Sequence, residues 1–154
     1  MKILKSWKKA YENDLDNIIF ELKGILENPA LIMLSGPVGA GKTTLVKKIV
    51  DQDSNVCSPT YSLINDFGNI VHADFYRIKD TSEIVQLELP LYLENKDFVI
   101  VEWGMPYYKE VKRFTGESFT PYELEIEVND VSELDTFFNK DDKASSRNFI
   151  LRKI

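Results

Sequence analysis

At 154 residues, the chain suits one domain and is too short to join a core domain to a large second one. Its 44% hydrophobic content supplies a real core, and a net charge of -6 argues against a broadly basic nucleic-acid surface, though not against a local basic patch. One cysteine, Cys57, excludes an internal disulfide and a Cys-built zinc site, no apolar run is long enough to span a membrane, and the charged start MKILKSWKKAY lacks the apolar region of a signal peptide. A reducing, cytoplasmic location is the expectation.

Residues 1–10 read as a short strand or an irregular lead-in. Leu15, Ile18, Ile19, Leu22, Ile25 and Leu26 recur at helical spacing, which predicts an amphipathic scaffold helix over roughly 8–25, ended by Asn28-Pro29. Leu31 to Leu34 form an apolar run suited to a buried strand. Gly36, Gly41, Lys42 and Thr43 then satisfy GxxxxGK[ST] without a mismatch, and Leu45, Val46, Ile49 and Val50 continue as the apolar face of a helix. Strand, glycine loop and helix follow in the order that phosphate binding requires. Gly36 and Gly41 let the backbone turn its N–H groups toward an anion, and the positive end of the helix points the same way. The expected phosphate cradle runs through Gly36, Val38, Gly39, Ala40, Gly41, Lys42, Thr43 and Thr44. Lys42 would reach the β and γ phosphates and Thr43 would ligate Mg²⁺.

Beyond a polar connection at 51–57, Ser58-Pro59-Thr60-Tyr61 leads into a short strand through Leu63 and Ile64. Asp66-Phe67-Gly68-Asn69 predicts a hairpin turn, and Ile70 to Phe75 the returning strand, with His72 and Asp74 on one face. Asp74 suits a Mg²⁺ or water-network carboxylate and equally a surface acid. His72 suits a structural histidine and equally a base. As the only histidine, it has no second imidazole with which to build a metal site. Arg77 fits a phosphate contact, an ion pair or a solvated side chain. Asp80 to Glu83 marks a helix start, and Pro90 divides residues 82–95 into two short helices. Phe98 to Val101 is the next buried strand. It ends in Glu102-Trp103, the outline of a Walker B acid beside the phosphate loop, where Glu102 would hold Mg²⁺ through water or position the attacking water. Trp103 suits stacking on a nucleotide or partner, or a place in the core. Met105 to Phe119 interleaves Lys109, Lys112 and Arg113 with aromatics and predicts a helix with a solvated face. Tyr122 to Val128 alternates as a half-exposed antiparallel strand, with Leu124, Ile126 and Val128 inward and its glutamates facing water. Leu134, Phe137 and Phe138 suggest a short helix or turn, and Phe149 to Ile154 a last strand or an attached tail.

Four blocks, GPVGAGKTT at 36–44, SPTY at 58–61, HADFYR at 72–77 and VEW at 101–103, together resemble the bacterial ATPase family of tRNA threonylcarbamoyladenosine biosynthesis, TsaE. The resemblance implies a three-layer P-loop NTPase fold with a mixed, mainly parallel sheet plus an antiparallel hairpin, formed by a single domain over residues 1–154. It implies that Ser58, Pro59 and Thr60 form a nucleotide-sensitive switch with Thr60 near the γ-phosphate or metal, and that His72 to Arg77 form a second one. Asp74 would be a magnesium-associated acid, Glu102 the Walker B acid, and Lys42, Asp74 and Glu102 the catalytic set. Two departures stand out. Leu87-Glu88-Leu89 replaces the family's LGL, and Met105 occupies the place of a second glutamate beyond Glu102-Trp103.

The activity implied is slow Mg²⁺-dependent ATP hydrolysis that drives or resets a complex of TsaD-like and TsaB-like proteins. That complex modifies the adenosine next to the tRNA anticodon, so contact with tRNA would be mainly indirect and no membrane would be involved. The absence of an NKxD-like guanine reader leans toward ATP. A small-molecule P-loop kinase is an alternative, although no Arg-rich lid is evident after Glu102. A nucleotide-dependent binding module with negligible hydrolysis is another.

Overall fold

The computed structural model describes residues 1–53, 63–130 and 145–154. Among these, seven strands form one sheet in the order β1-β7-β6-β2-β5-β4-β3. In chain order they are β1 (Lys2–Ala10), β2 (Ala30–Ser35), β3 (Ile64–Asp66), β4 (Ile70–Asp74), β5 (Phe98–Glu102), β6 (Thr120–Val128) and β7 (Arg147–Lys153). The helices are α1 (Leu15–Ile25), α2 (Lys42–Asp53), α3 (Thr81–Gln86) and α4 (Tyr108–Thr115), with single 3-10 turns before α1, after α3 and before α4.

The centre of the sheet is parallel. β2 pairs with both β5 and β6, and β5 pairs with β4. Antiparallel pairs close the flanks, the β3–β4 hairpin on one side and β6–β7–β1 on the other. A strand with helices over both faces must be apolar on both, and Ala30 to Leu34 and Phe98 to Val101 are all buried. Alternate residues enter two cores. Ala30, Ile32, Leu34, Phe98 and Ile100 pack with α1 and α2, through Ile18, Ile19, Leu22, Leu45, Val46, Ile49 and Val50. Leu31, Met33, Val99 and Val101 pack on the other face with Ile84 of α3 and Val111 of α4. The arrangement is three layers with a mixed sheet, as the resemblance implied. The apolar face read from α2 is the buried one, at roughly 1.5–3 kcal/mol for each fully buried Leu, Ile or Val side chain.

Some expectations are corrected. The helix expected over 8–25 starts later: residues 8–10 belong to β1, where Ala10 pairs with Arg147, and α1 begins at Leu15 after a 3-10 turn over Glu12–Asp14. Long-range pairing to β7 outweighs the local helical period there. β6 is not purely antiparallel. It runs parallel to β2 and antiparallel to β7, which places it inside the sheet. Leu124 and Ile126 are buried as expected, but Val128, at the strand's end, is 42% exposed. Glu123 and Glu125 are only partly open to water and share Arg152, which donates to both at 3.3 and 2.6 Å. Of the two alternatives for 149–154, the strand is the one found: residues 149–153 belong to β7, paired with β1 and β6.

The start of α3 agrees with its sequence. The Asp80 carboxylate accepts from the Ser82 and Glu83 N–H groups, and Glu83 answers to the Asp80 N–H, a complete capping box. The first departure from the resembling family falls on a left-handed residue: Glu88 has φ +53, a conformation that suits the missing glycine. The second departure, Met105, packs against the α3–α4 core.

Candidate functional site

The loop between β2 and α2 is built for an anion. Its three glycines have φ values of +145, +81 and +100 at Gly36, Gly39 and Gly41, and the Ala40 N–H donates to the Pro37 carbonyl to tighten the turn. Gly36 also lies against the chain, because a Cβ there would stand 2.6 Å from the Ile126 carbonyl oxygen. α2 opens at Lys42 with no acid in its first turn, so nothing of its own competes for the positive end of its dipole. From β7, Arg147 braces the loop: its Nε donates to the Ala40 carbonyl at 3.0 Å and its Nη2 to the Gly39 carbonyl at 3.3 Å.

The buried Lys42 folds back over the loop. Its ammonium donates to the Gly36 and Pro37 carbonyls at 2.7 and 2.9 Å and lies 4.2 Å from the centre of the Trp103 ring. Burial lowers its pKa from the ordinary 10.5, opposed by the nearby charges of Glu102 and Asp74. A cation held short of its preferred solvation is primed for an anionic ligand.

Facing the loop are the carboxyl ends of β4 and β5. Their parallel register sets Asp74 beside Glu102, and period-two alternation turns Asp74, His72 and Glu102 to the α2 side. Glu102 is buried at 2% exposure. It accepts from His72 Nε2 at 2.6 Å through Oε2 and from the Thr43 hydroxyl at 3.1 Å through Oε1. The Asp74 carboxylate accepts from the Tyr76 N–H at 3.0 Å. Trp103 follows with φ +59, a left-handed conformation that costs a non-glycine residue about 1 kcal/mol or more. Its ring meets Tyr76 with centroids 5.2 Å apart.

Val38, Gly39, Ala40, Gly41, Lys42, Thr43, Thr44, Asp74, Glu102 and Trp103, all singled out in the sequence, meet with Tyr76 around a cavity of about 410 Å³. Gly36 lies at the root of the loop, outside the cavity lining, where Lys42 bonds its carbonyl. Thr60, with the SPTY block, lies outside the described residues. Sequence reasoning missed a second cavity of about 240 Å³ against the loop. It shares Ala40, Gly41 and Thr44 with the first and is also lined by Ala10, Tyr11, Ser145, Arg147 and Phe149. No local motif marks those residues, because β1 and β7 reach the loop only through long-range pairing. Among the described residues no three His, Cys, Asp or Glu side chains gather as a metal cage, and no helix is long and apolar enough to cross a membrane.

A parallel sheet core whose central strand runs through a glycine loop into a helix, with a buried acid at the end of the adjoining strand, defines a P-loop NTPase-like fold. The family model described as threonylcarbamoyl adenosine biosynthesis protein TsaE matches residues 10–134, and the chain belongs to that family. The tRNA threonylcarbamoyladenosine biosynthesis protein TsaE of Aquifex aeolicus is 36% identical over 52% of this chain and 67% of its own length. Its namesake from Haemophilus influenzae is 33% identical over 54% of this chain and 57% of its own, and that from Mycobacterium bovis 33% over 69% and 67%. The chain thus spans from just over half to about two thirds of the length of these relatives.

Proposed function

We propose that the chain is a single-domain cytoplasmic ATPase that binds and slowly hydrolyses ATP with Mg²⁺. The observation that carries this reading is the 410 Å³ cavity in which Lys42, Thr43, Asp74 and Glu102 converge on the glycine loop. In this reading Lys42 leaves the Gly36 and Pro37 carbonyls for the β and γ phosphates, and the loop N–H groups from Val38 to Thr44 take the rest of the phosphate charge. We assign the base and ribose to the second cavity, between Tyr11 and Phe149, because it adjoins the first at Thr44.

The donor set fits magnesium. The Thr43 hydroxyl and the Asp74 and Glu102 carboxylates are hard oxygen ligands, and fewer than three acids suffice for an ion that keeps waters and shares phosphate oxygens. Thr43 would hold it directly and Asp74 and Glu102 directly or through water; bound there, it would neutralise charge on the phosphates. Glu102 or Asp74 would also orient the attacking water. Thr60 would complete the γ-phosphate side, and Trp103 would lie beside the phosphates.

The relatives' names refer to tRNA threonylcarbamoyladenosine biosynthesis. We extend that role to this chain: hydrolysis drives or resets a complex of TsaD-like and TsaB-like partners, and tRNA is met mainly through them. The test is phosphate release from ATP with and without the two partners. Stimulation supports the reading. Label transferred to an added nucleoside or sugar would favour a kinase instead, and tight binding without turnover in their presence would favour a binding module.

A further inference from the structure

We infer that His72 is a positioning residue for Glu102, holding its carboxylate toward Thr43 and away from Lys42. The inference deepens the ATPase reading above and rests on it. A buried carboxylate needs donors on its oxygens. Glu102 has two side-chain donors on different elements, His72 of β4 at 2.6 Å and Thr43 of α2 at 3.1 Å. The imidazole takes Oε2, and the Thr43 hydroxyl that would face the metal lies nearer Oε1, at 3.1 Å, than Oε2, at 3.4 Å.

The competing partner for that carboxylate is Lys42. The lysine feels the charges of both Glu102 and Asp74, yet its ammonium bonds the Gly36 and Pro37 carbonyls instead. An acid released by His72 would be free to pair with the ammonium. One such move would remove a cation from the phosphates and an oxygen from the metal's surroundings. The placement of His72 follows from the sheet: it lies opposite Ile100 in the parallel β4–β5 register, on the same face as Asp74, two residues short of the strand ends. Its side chain is only 12% exposed, so the contact with Glu102 is shielded from water. A histidine that merely filled the core would not need to meet the site's acid at this distance.

Two substitutions separate positioning from scaffolding. His72→Gln places an amide nitrogen where Nε2 stands, whereas His72→Asn places it where Nδ1 stands, one bond short of Glu102. Both are uncharged, polar and similar in size. A non-hydrolysable ATP analogue is titrated by calorimetry into each folded variant, once with Mg²⁺ and once with excess EDTA. The wild-type chain and His72→Gln should gain affinity from Mg²⁺ to within about threefold of each other, whereas His72→Asn should lose about tenfold or more of that gain, and its affinity in EDTA should fall as well because the freed carboxylate draws Lys42 from the phosphates. If His72→Asn keeps the full gain, or both variants lose equally, the assignment is overturned and the ATPase reading stands. A wild-type chain that binds the analogue under neither condition overturns that reading and the assignment together.

Discussion

The two sides of the main cavity are made of different material. On the loop side, residues 36–43, the chemistry is main-chain: glycines at positive φ, a tight turn and the start of α2, with carbonyls braced by Arg147 and Lys42. On the strand side the chemistry is side-chain: Asp74, Glu102 and Trp103 at the ends of β4 and β5, aimed by register and by hydrogen bonds from His72 and Thr43. The loop side should therefore fail when atoms are added to it. The strand side should fail when functional groups are exchanged, with little change in fold.

Lys42 belongs to the loop in sequence but works through its side chain, and its loss should be the largest effect. Lys42→Ala should lower kcat/KM for ATP by about 10³-fold while the chain stays folded, read by phosphate release and a thermal melt. On the strand side, Glu102→Gln should lower turnover by about 10²-fold and shift stability by no more than about 1 kcal/mol, because the amide keeps the shape and one acceptor. A urea melt displaced much further would show that Glu102 serves the fold more than the chemistry. The loop should show the reverse. Gly36→Ala forces a Cβ to 2.6 Å from the Ile126 carbonyl oxygen and should cost roughly 2–4 kcal/mol of folding stability. Gly39→Ala meets nothing within 4 Å and should cost only about 1 kcal/mol, from φ +81 alone. Equal urea midpoints for the two would mean that the loop tolerates close approach. The smallest effect concerns pH. Because burial lowers the Lys42 pKa below 10.5, the unfolded chain binds more protons in the window between the folded value and 10.5, and stability rises with pH across it. Lys42→Met should remove that rise, which urea unfolding at a series of pH values up to 10.5 would detect.

The difference between the two sides also decided what could be read in advance. The loop is contiguous, so eight neighbouring residues carried its geometry in their order. Asp74 and Glu102 were legible as strand-end acids, and the resemblance joined them to the loop. Their mutual placement was not legible, because it depends on β4 and β5 lying side by side in parallel. His72 stayed ambiguous between base and scaffold for the same reason, since its partner is 30 residues away. The second cavity was missed altogether. Tyr11 was expected inside a helix and Phe149 in a strand or tail, and only the β1–β7 pairing brings both against the loop.

Short-range physics determined the parts that sequence settled alone. A four-residue apolar run makes a doubly covered strand, glycines at set spacing make the turn, and a capped, periodic segment makes a helix where no long-range pairing competes for it. The tertiary structure decided everything that rests on which strand neighbours which. It drew residues 8–10 out of helix into β1, set β6 between a parallel and an antiparallel partner, and put one imidazole on one buried carboxylate. Each of those outcomes rests on hydrogen bonds between residues far apart in the chain, where local periodicity carries no information about the partner.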